Sequence, residues 1–145
     1  MSSKIERNRI EKNKIRNINL RGDWVEMQFM ARATRHGLTP TKPFGPAHAY
    51  DFIVEYNGRF ARVQVKGTEA FNGWAFNVGT KARAGSKPYA ARAFEFFAFY
   101  VVPYDVWYII PKRATKHAKC RLALRPHVLR SRYAEYMEAW DLLKK

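Results

Sequence analysis

Residues 50–66 read YDFIVEYNGRFARVQVK, two alternating runs joined at Asn57-Gly58. An Asn-Gly pair suits a two-residue β-turn, because both turn positions take positive φ, and it is the strongest short hairpin signal. A hairpin closed on that turn sets Tyr56 across from Arg59. Counting outward brings Asp51 opposite Gln64. Opposed residues share a sheet face with their Cβ atoms about 5 Å apart, and Lys66, two residues on, shares it too. The other face collects Phe52, Val54, Ala61, Val63 and Val65, an apolar set expected in the core.

A carboxylate, an amide and a lysine therefore converge near one sheet edge. A hard divalent cation takes oxygen ligands. Asp51 offers a carboxylate, Gln64 a neutral side-chain oxygen and Val65 its backbone carbonyl. Lys66 is suited to the charge that develops on a phosphate, or to positioning the attacking water. Taken singly, each residue also has a plain structural reading. Asp51 and Gln64 would make a cross-strand hydrogen bond, and Lys66 would be a solvated strand-end charge.

The preceding stretch predicts a helix from Asp23 to the stop at Gly37, with Arg35 and His36 in its last turn. Glu26 shares a face with Phe29, Met30 and Ala33. It either closes a capping box with Asp23, which is what the spacing rule supports, or points at the metal from a helix packed on the sheet. Residues 1–21 hold seven Lys/Arg and two Glu and read as a basic N-terminal arm, with residues 22–145 as one domain. A short extended piece is expected at Thr39–Lys42. Further strands are expected at Trp74–Val78, Phe94–Val102 and Val106–Ile110, and a closing helix over 128–142.

Composition narrows the partner. The 145 residues carry 27 Lys+Arg against 12 Asp+Glu, a formal net charge of +15. Such a balance points to a polyanion, and nucleic acid is the natural one. Two segments, 80–92 and 112–132, are rich in Lys and Arg and contain no acid. Lys81, Arg83, Lys87, Lys116, Lys119 and Arg121 are the candidate phosphate contacts. The single cysteine, Cys120, makes no internal disulfide and has no partner at metal-ligand spacing. The four histidines are scattered, Ser86 and Thr68 have no nucleophile triad, and residues 79–85 lack a P-loop ending. No run approaches the roughly 20 apolar residues of a membrane span. The N-terminal residues have no apolar signal region. The expected place is the cytoplasm, associated with the nucleoid, with no membrane partner.

The pattern Asp51…Gln64-x-Lys66 across a hairpin, with Glu26 on the preceding helix, resembles the PD-(D/E)xK nuclease superfamily. The stretches GDWVEMQFMARATRHG (22–37) and YDFIVEYNGRFARVQVKG (50–67) look especially like group I intron-encoded homing endonucleases with a QxK motif. At coarser resolution they look like archaeal Holliday-junction resolvases. AFEFFAFYVVPYDVWYIIP (93–111) also fits, and the resemblance covers roughly residues 20–110. It implies an α/β fold with a restriction-endonuclease-like αβββαβ core, a mixed sheet flanked by helices. It implies hydrolysis of DNA phosphodiesters with Mg2+, or Mn2+ in its place. Glu26, Asp51, Gln64 and Lys66 carry over as the active-site residues. Two positions depart from the pattern: Gln64 stands where most members have an acid, which removes a negative charge from the site, and Tyr50 replaces the proline. The function expected is a magnesium-dependent endonuclease on double-stranded DNA, assembled as at least a dimer. The rivals are a junction resolvase or repair nuclease, and a binding module without catalysis.

Overall fold

The computed structural model describes residues 14–82 and 85–145. Among the described residues, helix α1 (Ile18–Arg35) leads into β1 (Thr39–Thr41), β2 (Phe52–Tyr56), β3 (Arg59–Thr68), β4 (Phe76–Gly79), β5 (Phe96–Val101), β6 (Val106–Pro111) and β7 (Arg121–Leu124). Five strands form a mixed sheet in the order β1-β2-β3-β5-β6, and β4 and β7 form a second, two-stranded sheet. Among the described strands, β3 and β5 run parallel and the other pairs are antiparallel.

The hairpin has the register read from Asn57-Gly58: Tyr56 pairs with Arg59, Val54 with Ala61 and Phe52 with Val63. Both turn residues have positive φ, 49° and 75°. Alternation then sorts the core into two layers. Phe52, Val54, Val63 and Val65 meet Val25, Phe29 and Ala33 of α1, joined by Trp107, Ile109 and Trp140. On the opposite face Phe97, Phe99, Tyr108 and Ile110 pack on Phe76, Val78, Leu122 and Leu124 of the small sheet. Strands β5 and β6 are covered on both faces, which is why their sequences are near-continuous apolar runs.

This is the expected α/β class, but the second face is covered by β4 and β7 where a helix was expected. Residues 69–95 connect parallel β3 to β5 without an α-helix among the described residues. Gly73, Gly79, Gly85 and Pro88 punctuate that connection too closely for several helical turns.

Two helix expectations are corrected. Helix α1 starts at Ile18, inside the segment read as a basic arm, and its N-cap is Asn17, whose side chain accepts the Leu20 N–H at 3.0 Å. Asp23 is therefore inside the helix and caps nothing. The closing helix over 128–142 is absent; short 3-10 turns at Ala134–Tyr136 and Trp140–Lys144 stand there. The cause is the edge of β6. Glu138, at φ 54°, donates its N–H to the Trp107 carbonyl, and its carboxylate accepts the Trp107 N–H and the Trp140 indole N–H. An α-helix would satisfy its own backbone and leave that edge unpaired.

Candidate active site

Strand β3 has ten residues and β2 has five, so β3 runs on past the end of its neighbour. Beyond Val63 its β2-facing edge loses a partner strand. Asp51 closes the gap: its N–H donates to the Val63 carbonyl at 2.9 Å, and its carboxylate accepts the Val65 N–H at 2.7 Å. In a strand, the N–H and C=O of one residue point the same way. The Val65 carbonyl therefore also faces this open edge, beside the Asp51 carboxylate.

Glu26 arrives from α1. The helix comes close because Gly67 has no side chain: a Cβ there would lie 2.7 Å from Cγ2 of Val25. Val25 packs onto β3, and the next residue, Glu26, reaches Asp51. The Asp51 pKa is raised from 3.8 to about 6, first by burial and then by the charge and hydrogen bonding of Glu26, against the lowering effect of the Val65 N–H. Glu26 is in turn ion-paired with Lys42. Its role here is contact with Asp51, and the capping-box reading fails with the cap at Asn17.

Lys66 lies on the same open stretch of β3. Its ammonium donates to the Lys81 carbonyl and stands 5.7 Å from the centre of the Tyr89 ring. Burial lowers its pKa, opposed by the nearby charge of Asp51. Gln64 is half-buried, and among the described residues its side chain makes no hydrogen bond to Asp51. The plain cross-strand reading of that pair is thus not what the carboxylate does.

Asp51, Glu26, Gln64, Val65 and Lys66 line one open cleft of about 610 Å³ between the start of α1 and strand β4. The cleft also exposes residues that the sequence reading passed over. Glu69, ion-paired with Lys14 at 3.4 Å, lies three residues past Lys66 and would have been reached by extending the strand. Tyr89 and Lys42 carry no local signal; only folding brings them near.

Of the candidate phosphate contacts, Lys87, Lys116, Lys119 and Arg121 are exposed and Lys81 is half-buried; Arg83 lies outside the described residues. Gly79, in the cleft wall, pairs with Arg121 of β7. The basic segment around β7 thus stands directly behind the cleft-lining strand. Among the described residues there is no cluster of three His, Cys, Asp or Glu, and no helix long and apolar enough to cross a membrane.

Residues 16–143 match the family of PD-(D/E)XK endonucleases. The chain belongs to that family. Its fold is similar to that of a bacterial homing endonuclease, I-Ssp6803I, with a TM-score of 0.77 and 24% identity over 88% of this chain and 93% of that one. No curated protein sequence matches. Members of the PD-(D/E)XK family generally use divalent metals, and the donors here fit one. Two carboxylates interact, an amide side chain lines the same cleft, and a backbone carbonyl faces the same edge. This oxygen set suits a hard cation.

Proposed function

We propose that this PD-(D/E)XK endonuclease is a magnesium-dependent enzyme of the homing type, cutting double-stranded DNA as at least a dimer. The observation that carries the reading is the contact of Glu26 with Asp51 at the open edge of β3. A protein that only binds nucleic acid gains nothing from holding two carboxylates together next to its substrate. A metal-dependent nuclease needs that arrangement.

In this reading Asp51, Gln64, the Val65 carbonyl and Glu26 hold the cation, which supplies Lewis acidity at the scissile phosphate when bound. Lys66 donates to a phosphate oxygen and offsets the charge developing there. The Val65 N–H at 2.7 Å fixes one oxygen of the Asp51 carboxylate and so orients the group at the open edge of the strand. Lys87, Lys116, Lys119 and Arg121, with Lys81 and Arg83, would bind the phosphates flanking the cut. A chain of 145 residues that cuts both strands needs two such sites, and a symmetric assembly of copies supplies them.

Nicking of supercoiled plasmid with and without Mg2+ tests this. Asp51→Ala is expected to lose at least about a hundredfold in rate. It should retain DNA affinity, which comes from the basic segments. Cleavage that survives in Asp51→Ala, or that proceeds in EDTA, would overturn the assignment.

A further inference from the structure

The turn between β3 and β4 carries two large rings that the nuclease site does not use. Phe71 is 50% exposed and Trp74 55%, and Tyr104 nearby is 48% exposed. Phe71 and Tyr104 stand in one cluster with Phe76 and His127, and Trp74 lies three residues from Phe71 on the same turn. The Phe71 ring is 4.9 Å from Phe76 and 5.7 Å from His127, and Tyr104 packs edge-on to Phe76 at 5.6 Å. The Arg125 guanidinium lies 4.2 Å over the Trp74 ring, and its Nε donates to the Trp74 carbonyl at 3.1 Å. The patch is aromatic and cationic at once.

Its exposure is built in. The Asn72 side chain accepts the N–H groups of both Trp74 and Ala75 at 2.9 Å, and the Asn72 N–H donates to the Ala75 carbonyl at 3.1 Å. Gly73 takes φ 90° at the tip, and the Thr68 hydroxyl ties the base of the turn to the Asn77 carbonyl at 2.7 Å. These bonds hold the turn from which the two rings project. Arg125 covers one side of Trp74 and fixes the ring, so little further ordering is needed when a ligand stacks on it. The patch also adjoins the cleft: Glu69, Ala70 and Asn77, the neighbours of Phe71 and Phe76, line it.

The charge of the surroundings selects the occupant. The segment that supplies Arg125 has eight Lys/Arg and no acid between 112 and 132, in a chain of net charge +15. At this patch a two-fold contact would set the acid-free basic segment of one copy against that of the other, which is repulsive. Nucleobases present flat π faces along a polyanionic backbone. Paired bases have those faces covered by their neighbours, whereas unpaired bases offer them. We infer that Phe71 and Trp74 form a base-stacking platform that takes up bases unpaired from the duplex where its strand enters the cleft. This deepens the nuclease reading and rests on it.

The test compares binding of the full chain, in EDTA, to two DNAs of equal length, one fully paired and one with an internal unpaired segment. The wild type is expected to bind the second about tenfold more tightly, the usual worth of stacking a base on an aromatic ring. The double variant Phe71→Ala/Trp74→Ala should lose that preference while its affinity for the paired DNA stays within about twofold. Trp74→Phe keeps a ring and should keep most of the preference, which separates stacking from damage to the turn. A wild type without preference, or a double variant that retains it, would overturn the platform. So would a double variant that dissociates into monomers in sedimentation with its DNA preference intact, since the patch would then be a self-interface. Plasmid nicking by the wild type is scored separately, so failure of the nuclease reading is told apart from failure of the platform.

Discussion

Asp51 carries its charge where the fold disfavours it. Burial and the adjacent Glu26 raise its pKa from 3.8 to about 6. Between these values the native state keeps a proton that the unfolded chain has lost. The stability of the metal-free protein therefore falls as pH rises through that window. Asn in place of Asp51 keeps an acceptor for the Val65 N–H and removes the charge. Metal-free Asp51→Asn is expected to be more stable than wild type above about pH 7, by on the order of 2–3 kcal/mol. The difference should close as pH falls below about 4, where both side chains are neutral. Added Mg2+ should raise the melting temperature of the wild type and leave the variant nearly unmoved. Calorimetric melts across pH, with and without Mg2+, check this. A variant less stable than wild type at neutral pH would show that the carboxylate is not crowded.

Helix α1 is placed by a single missing side chain. Gly67 lets Val25 sit against β3, and that contact sets the reach of Glu26. Gly67→Ala puts a Cβ 2.7 Å from a methyl of a β-branched side chain, which has little freedom to turn away. The helix must shift, at a cost of about 1–3 kcal/mol for overpacking. Glu26 would move with it, and cleavage is expected to fall by about a hundredfold, as for a 1 Å misplacement of reacting groups. Val25→Ala in the same chain makes room again. The pair should recover much of the cleavage without recovering the stability, because a buried valine has been truncated. If Gly67→Ala cleaves as well as wild type, the approach of α1 does not position the site.

At the scale of the whole molecule, the cleft and the basic segment are adjacent because β4 serves both. One edge of β4 pairs with β7, and its residues Asn77–Gly79 also form the cleft wall. Phosphate contacts made by β7 and its flanks would release counterions, and log affinity then falls with log salt by about 0.9 per contact. Neutralising Lys116, Lys119 and Arg121 together should flatten that slope by roughly 1–3 units and weaken all DNA sequences alike. A salt titration of binding in EDTA reads it. An unchanged slope would place this segment away from the DNA.

The sequence by itself determined what depends on near neighbours. Asn57-Gly58 set the hairpin and its register, and two-residue alternation chose which side of β2 and β3 is core. From these came the shared location of Asp51, Gln64 and Lys66. The helix was legible in outline through its spacing and Gly37, but its start was not. Asn17 and Asp23 are equally good caps in isolation, and the structure uses the first, whose side chain accepts the Leu20 N–H. The contact of Glu26 with Asp51 was left open, because it hangs on Gly67, a residue 41 positions from Glu26 whose only contribution is absence of bulk. β7, the broken C-terminal segment and the exposed rings of Phe71 and Trp74 were decided by tertiary structure alone. Each answers to groups that local sequence does not display: an unpaired edge of β6, an uncovered face of β5, and the hydrogen bonds of the turn from which the rings project. Periodicity records which residues want to be buried, whereas the backbone groups left without partners at the edges of a sheet decide what the rest of the chain must do.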